Sequence, residues 1–180
     1  MSSAVQPDMA ERDTQPAAGA AKTADAGGAA GAQFPSVSWF RCLADLMNAN
    51  RARQEQLGYV DCVAGFRVLD GPGGAPWACE VTFEEFEAID VRECARGDAS
   101  RANFTLEATQ ATWREMIESI AAGDGRPDLT HTLNYLTHPG TPMRLVADDP
   151  LEADLYFRYN QSLQEFVNAS AQIATVFPIS

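Results

Sequence analysis

The residues best suited to acid–base chemistry fall within one loop of the sequence. Asp128 and His131 are three positions apart, and His138 directly precedes Pro139. A carboxylate beside an imidazole can hold it as a general acid or base near neutral pH. The same spacing suits exposed or helix-capping side chains, and we favour that interpretation over a catalytic pair.

The four cysteines offer a second possible chemistry, as nucleophiles or metal ligands. Cys42, Cys62, Cys79 and Cys94 are 20, 17 and 15 residues apart, and the chain has only two histidines. Zinc sites usually use paired ligands such as C-x-x-C, which this spacing lacks. We therefore predict no metal site, no cofactor and no catalytic residue, and we interpret the cysteines as small buried hydrophobes in a reducing compartment.

The charge balance excludes several classes of partner. The sequence has 13 Lys and Arg residues against 25 Asp and Glu, a formal net charge of −12. Because this excess of carboxylates repels phosphate backbones, we predict no nucleic-acid partner. The sequence also lacks a signal-peptide pattern and an apolar run long enough for a membrane helix, so we expect a cytoplasmic protein without stable membrane insertion.

The composition of the chain changes near residue 33. Residues 1–33 consist almost entirely of Ala, Gly, Ser, Thr, Pro, Gln and charged residues without apolar periodicity. We expect a disordered tail over 1–33 and one domain over 34–180. A helix that Ser38 can cap is predicted to begin this domain and to end near Gly58.

Alternation of apolar and polar residues predicts a sheet. Residues 59–69 and 77–84 alternate with period two on either side of a Gly-rich turn, which predicts an antiparallel hairpin. A less regular third strand covers 86–94, where the mixed pattern predicts a bulge or bend near Glu85.

The next segment changes from a strand period to a helix period. Phe104 and Leu106 alternate with polar residues, and Thr109 can then cap a helix. Beyond this cap the apolar residues recur every three or four positions: Trp113, Met116, Ile117 and Ile120.

A short strand at 143–148 and a long helix complete the predicted domain. Asp149 is the expected N-cap of this helix, Pro150 its first residue and Glu152 the partner in a capping box. The apolar side of the helix continues almost to the end of the chain through Leu155, Tyr159, Leu163, Phe166 and Ile173.

Three segments carry a family resemblance. ANFTLEATQATWREMIESI, with its Phe, Leu, Thr, Trp and Ile at positions 104, 106, 109, 113 and 117, is followed by MRLVADDP and by LEADLYFRYNQSLQEFVNAS. In this order they resemble the sterol carrier protein two family over about residues 34 to 175. Met143 and Arg144 stand where that family usually has Gly and Lys, which implies a differently shaped linker over the pocket.

The resemblance implies an α+β fold in which helices cover a five-stranded, mostly antiparallel twisted sheet, with an apolar tunnel between the two layers. It also implies non-catalytic binding or transfer of a fatty acyl chain, a sterol or a similar hydrophobic small molecule. The candidate ligand-binding residues are large apolar side chains on facing elements: Phe66, Val68, Trp77, Phe83, Phe104, Trp113, Met116, Leu163 and Phe166.

Two other functions stay open from the sequence. His131, with Asp128 or His138, could serve a small cone-shaped isomerase, cyclase or dehydratase if these side chains share a cavity. A close-packed interior with an exposed apolar patch would instead indicate an accessory interaction subunit, with an enzyme or a second copy of the chain as its partner.

Overall fold

The computed structural model describes residues 31–95 and 100–178. The expected disordered tail therefore lies outside the described residues up to residue 30. Ala32–Gln33, which the sequence assigned to that tail, form a short strand, β1, that pairs in parallel with β7 (Thr175–Val176).

Five helices occur in the described part of the chain, and three of them are long enough to shape the core. They are α1 (Val37–Ala49), α2 (Arg51–Leu57), α3 (Gln110–Ala122), α4 (Leu133–Leu136) and α5 (Pro150–Asn168). Single turns of 3-10 helix cover Pro72–Gly74, Leu129–His131 and Ala169–Gln172.

The main sheet has five strands in the order β4-β3-β2-β5-β6. They are β2 (Val60–Val68), β3 (Trp77–Glu85), β4 (Glu87–Glu93), β5 (Phe104–Ala108) and β6 (Arg144–Val146). The β2–β5 pair is parallel and the other pairs are antiparallel. The sheet is therefore mixed and mostly antiparallel, which confirms the fold class.

The two faces of this sheet have opposite character because side chains alternate along a strand. We call the face covered by helices the apolar face; its strand residues are Val60, Cys62, Ala64, Phe66, Val68, Cys79, Val81, Phe83, Phe104, Leu106 and Ala108. We call the opposite face the charged face; it carries Arg67, Glu80, Arg92, Glu107 and Arg144. The hydrophobic core lies between the apolar face and α1, α3 and α5.

The N-terminal helix differs from its prediction at both ends. Ser36 caps α1, since its hydroxyl accepts a hydrogen bond from the Trp39 amide at 3.1 Å, so the expectation of Ser38 was wrong by two residues. Phe34 packs edge-on against Trp39 with ring centroids 4.9 Å apart, a contact that brings the chain into the helix at Ser36. The single helix expected up to Gly58 is divided at Asn50 into α1 and α2.

The bend expected near Glu85 is confirmed, because Glu85 has a positive φ of 55° and Phe86 alone separates β3 from β4. A bulge lies further along β4, at Ile89. Phe83 pairs with Ala88 while Thr82 pairs with Asp90, so Ile89 is an extra residue in β4. An extra residue shifts the alternation by one, which is why Ala88 and Val91 are both buried.

The long C-terminal helix is rotated and shorter than the pattern predicts. Asp149 caps α5 by accepting from the Leu151 amide at 2.7 Å, as expected. The Glu152 carboxylate accepts from the Asn103 amide group at 3.4 Å, which ties α5 to the start of β5. The helix ends at Asn168, and its buried side includes Tyr156, which the predicted apolar side omitted.

Candidate functional site

The predicted ligand-binding residues all lie on the apolar side of the sheet. Eight of the nine are buried, and Trp77 is half-buried at the edge of the core. The strands present five of them and the helices four, because each side chain occupies the inward position of its element. The structure brings the nine residues into one continuous core.

Phe66 lies at the centre of an aromatic layer between the sheet and the helices. Its ring centroid is 5.0 Å from that of Phe40, 6.0 Å from Phe166 and 6.2 Å from Trp113. Phe166 also packs edge-on against Phe83 at 5.1 Å. These separations are those of rings in direct contact, so the candidate walls support one another in this conformation.

Sequence reasoning missed three aromatic residues of the same layer. Phe34, Phe40 and Tyr156 are buried there, and none was named as a candidate wall. Phe40 follows Trp39 directly, so a single helical stripe includes only one of the two. Tyr156 lies seven residues before Leu163, about two helical turns, and this spacing could have placed it on the same buried side of the helix.

Hydrogen bonds orient two of the aromatic side chains of the layer. The Trp113 indole N–H donates to the Arg67 carbonyl oxygen at 3.0 Å, which links α3 to β2. The Tyr156 hydroxyl lies 3.0 Å from the Thr137 hydroxyl. Burial raises the pKa of the Tyr156 phenol, so this group is a neutral donor or acceptor at physiological pH.

The cysteines of the apolar face are not activated as nucleophiles. Burial raises the pKa of the Cys62 thiol to about 12 and that of Cys79 well above its ordinary value. A thiol with so high a pKa carries almost no thiolate, the nucleophilic form. All four cysteines are free, and the residues that the structure describes contain no group of His, Cys, Asp and Glu that could hold a metal ion.

The Asp128–His131 pair forms, but it lies at the surface. His131 Nδ1 is 2.8 Å from Asp128 Oδ2, with side chains 29% and 58% exposed. Hydrogen bonds from the Thr130 hydroxyl and from His131 lower the pKa of Asp128 below its ordinary value. Neither residue contributes to the cavities described below, and His138 is exposed. The geometry is that of a helix cap, since Asp128 also accepts from the Thr130 amide at 2.9 Å.

The charged face is organised around a buried carboxylate. Glu80 is 2% exposed and accepts from the Arg92 guanidinium at 2.7 Å, the Arg101 amide at 2.8 Å and the Ser100 hydroxyl at 3.0 Å. Burial alone would raise the pKa of Glu80, but these hydrogen bonds outweigh it and lower the pKa to about 2. Glu107 similarly lies between Arg67 and Arg144, at 3.5 and 3.1 Å.

Two surface cavities are lined by both apolar and polar groups. One of about 370 Å³ lies above Gly65 and has two of the predicted ligand-binding residues, Phe66 and Trp77, in its lining. Another, of about 510 Å³, lies between α2 and the end of α5, beside Gln54 and Glu165.

A third cavity, of about 400 Å³, lies between Tyr59 and the middle of α5. We call it the aromatic cleft; its walls include Leu57, Tyr59, Phe157, Arg158, Tyr159 and Asn160. Tyr159 packs against the core, and Leu163, one helical turn further along α5, is fully buried. The cleft therefore adjoins the aromatic layer through one side of α5.

No helix within 31–95 and 100–178 combines the length and the apolar character needed to cross a membrane.

Comparisons with known proteins identify the fold. No protein-family model and no curated protein sequence matches the chain. The conserved hypothetical protein TT1886, possibly sterol carrier protein, from Thermus thermophilus has a similar solution structure, with a TM-score of 0.60 and 19% sequence identity. The match covers 83% of this chain and 97% of that protein.

A crystal structure of sterol carrier protein 2 is also similar, with a TM-score of 0.53 and 20% identity over 76% of this chain and 96% of that one. Helices on one face of a mixed five-stranded sheet define the class of fold. The fold of this chain is that of sterol carrier protein 2, which confirms the resemblance predicted from the sequence at the level of structure.

Proposed function

We propose that this protein binds and carries a hydrophobic small molecule, such as a fatty acyl chain or a sterol, between the apolar face of the sheet and α5. The observation that carries this proposal is the aromatic layer of Phe66, Phe83, Trp113 and Phe166 within a sterol-carrier fold. One of the two structural relatives is named sterol carrier protein 2, and the other possibly sterol carrier protein.

Binding at this place requires a movement of α5. The rings on β2, β3 and α5 are in contact, so a guest molecule must separate Phe166 from Phe66 and Phe83. The aromatic cleft offers the entry, because Tyr159 and Leu163 lead from it to the ring layer along one side of the helix. The nine predicted ligand-binding residues would then line the opened space.

The energy available from burial is sufficient for such a function. A ligand that hides about 300–400 Å² of apolar surface gains about 7–10 kcal/mol before costs. Association and ordering of side chains remove several kcal/mol of this gain. Micromolar affinity, which corresponds to about 8 kcal/mol, is therefore the upper limit of what this burial provides without a charged contact.

Binding suits the apolar face better than catalysis. The described residues on that face are hydrocarbon, aromatic or neutral thiol groups, and none of them is a general acid or base. The proposed role therefore involves no catalytic residue, metal or cofactor. We place the protein in the cytoplasm, in keeping with its four free cysteines.

Energy transfer from tryptophan tests the function directly. Delipidated full-length protein is titrated with cis-parinaric acid, a fluorescent fatty acid that accepts energy from tryptophan. Trp113 and Trp39 in the core predict efficient energy transfer, saturation at micromolar concentrations and competition by palmitate. Native mass spectrometry of protein from its host should also show a non-covalent apolar ligand. Absence of saturable transfer together with ligand-free native spectra would refute the proposal.

A further inference from the structure

Two large aromatic rings in the aromatic cleft are more than half exposed and therefore contribute little to the hydrophobic core. Tyr59 and Phe157 are each 56% exposed although both belong to well-packed parts of the fold. Tyr59 packs edge-on against Phe86 at 6.2 Å, and Phe157 packs edge-on against buried Tyr156 at 5.2 Å. Each ring is therefore held by a neighbour while much of its surface stays available to a ligand.

The charges around the cleft are separated by sign. Asp61 and Glu84 are direct cross-strand partners next to Tyr59, and Glu85 is paired with Val60. None of these three carboxylates has an ion-pair or hydrogen-bond partner in the part of the chain that the structure describes. Like charges directly opposite in a sheet repel each other, so this edge favours a nearby cation. The pKa of Tyr59 is raised, by burial first and then by Asp61 and Glu85.

The helix side of the cleft carries the opposite charge. Arg158 lines the cavity beside Phe157, and its guanidinium has no carboxylate partner among the described residues. An unpaired guanidinium is a strong donor to phosphate oxygens. The cleft thus offers aromatic rings with negative charge on one side and a phosphate-binding group on the other.

We propose that the aromatic cleft binds the phosphocholine headgroup of a lipid, with the quaternary ammonium against the Tyr59 and Phe157 rings and the phosphate on Arg158. Quaternary ammonium groups bind aromatic faces well because they are large and weakly hydrated. An anionic headgroup would meet Arg158 but also the three carboxylates and the net charge of −12. The proposal rests on the carrier function, since the acyl chain would extend past Tyr159 into the core.

The test compares two lysolipids with the same palmitoyl chain. Full-length protein is titrated, below the micelle concentration, with lysophosphatidylcholine and with lysophosphatidylglycerol, and palmitate serves as the headgroup-free probe. We expect the choline lipid to bind about tenfold more tightly than the glycerol lipid. Tyr59→Leu should reduce this preference, the ratio of the two affinities, about fivefold or more. Arg158→Gln should lower the affinity for both lysolipids about fivefold or more, because both carry the phosphate. Arg41→Gln, an exposed arginine on α1, is the matched control.

The outcomes separate this inference from the carrier function. Equal affinity for the two lysolipids, a preference that Tyr59→Leu retains, or lysolipid affinities that Arg158→Gln leaves unchanged would overturn the headgroup site while the carrier function stands. If no lysolipid or palmitate binds but phosphocholine alone shifts the NMR signals of Tyr59 and Phe157, the cleft chemistry is supported and the carrier function fails. Failure of every probe would overturn both.

Discussion

The two faces of the sheet are built from the same strands but are held by different interactions. On the apolar face, Phe66 and Phe83 meet Phe166 of α5 in a layer of rings. On the charged face, Glu80 accepts four hydrogen bonds from side chains and backbone of Arg92, Ser100 and Arg101. Directional hydrogen bonds fix the charged face, whereas non-directional apolar contacts hold the other.

This difference decides where a hydrophobic guest can enter. Opening the apolar face replaces ring contacts by contacts with the ligand, so little free energy is lost once the ligand is bound. Opening the Glu80 network would leave a buried carboxylate without donors, which is costly. The mobile side of the molecule is therefore expected to be the interface between α5 and the apolar face.

The largest expected effect is on the apolar face. Phe166→Ala removes a fully buried ring and should lower the free energy of unfolding by about 3–5 kcal/mol, measured by urea denaturation. The same variant should bind cis-parinaric acid more tightly, because the space for the acyl chain is already present. Val63→Ala, on the opposite face, is the control and should cost less than about 1 kcal/mol. Equal losses of unfolding free energy in the two variants would contradict the claim that the core lies on the apolar face.

A smaller effect is expected on the charged face. Glu80→Gln should cost about 1–3 kcal/mol, since Arg92 and Arg101 lose their shared carboxylate. The pKa of Glu80 is lowered to about 2 in the folded protein, so its stabilisation is complete above the unfolded pKa, about 4.3, and is lost as the pH falls towards 2.

The pH dependence distinguishes this role from simple packing. Wild-type stability should fall more steeply than that of Glu80→Gln between about pH 4.5 and 2, a window set by the two pKa values of Glu80. Asp90→Asn, which removes only the exposed 3.3 Å pair with Arg101, is the control and should change stability by less than about 0.5 kcal/mol. Identical acid slopes for wild type and Glu80→Gln would contradict the proposed network.

The start of α1, which covers the apolar face, gives an intermediate effect. Ser36→Ala removes the N-cap and should cost about 1 kcal/mol in chemical denaturation. Ser38→Ala keeps the bond between the Ser36 hydroxyl and the Trp39 amide and removes only the 2.9 Å contact between the two hydroxyls, so it should cost clearly less. A larger loss for Ser38→Ala would show that the helix begins where the sequence pattern placed it.

The smallest effect is expected at the bulge of β4. Ile89 is 50% exposed, so Ile89→Thr should change stability by no more than about 0.5 kcal/mol. Val91→Thr places a hydroxyl in the core and should lose measurably more, as judged by thermal unfolding. A reversed order would place Ile89 on the apolar face.

The sequence predicted the faces of β2 and β3 because burial on one side of a strand produces a local period of two. It also predicted Thr109 as the cap of α3, whose hydroxyl accepts from the Thr112 amide at 3.3 Å. The parallel pairing of β2 with β5 was beyond reach, since strand order depends on contacts between distant segments. The bend near Glu85 was predicted, but the position of the bulge at Ile89 was not, because an extra residue is recognised only from its pairing with the partner strand.

For the candidate site too, the sequence predicted which side chains point inward but not how the elements that carry them pack together. The pattern identified Phe66, Trp113 and Phe166 as inward side chains, but their mutual distances depend on how three elements pack. Phe40 and Tyr156 were missed because residues of other elements bury them, and the apolar pattern of one helix contains no information about those contacts. The resemblance to sterol carrier proteins supplied the fold, and the sheet topology then confirmed it.

The central claim is that a hydrophobic ligand occupies the apolar face, and intermolecular NOEs test it most directly. The full-length protein is saturated with ¹³C-labelled palmitate, and isotope-filtered spectra record the protein protons near the acyl chain. The account predicts NOEs from the chain to Phe166, Leu163 and Phe83. NOEs confined to Arg67 and Thr105 on the charged face would contradict it.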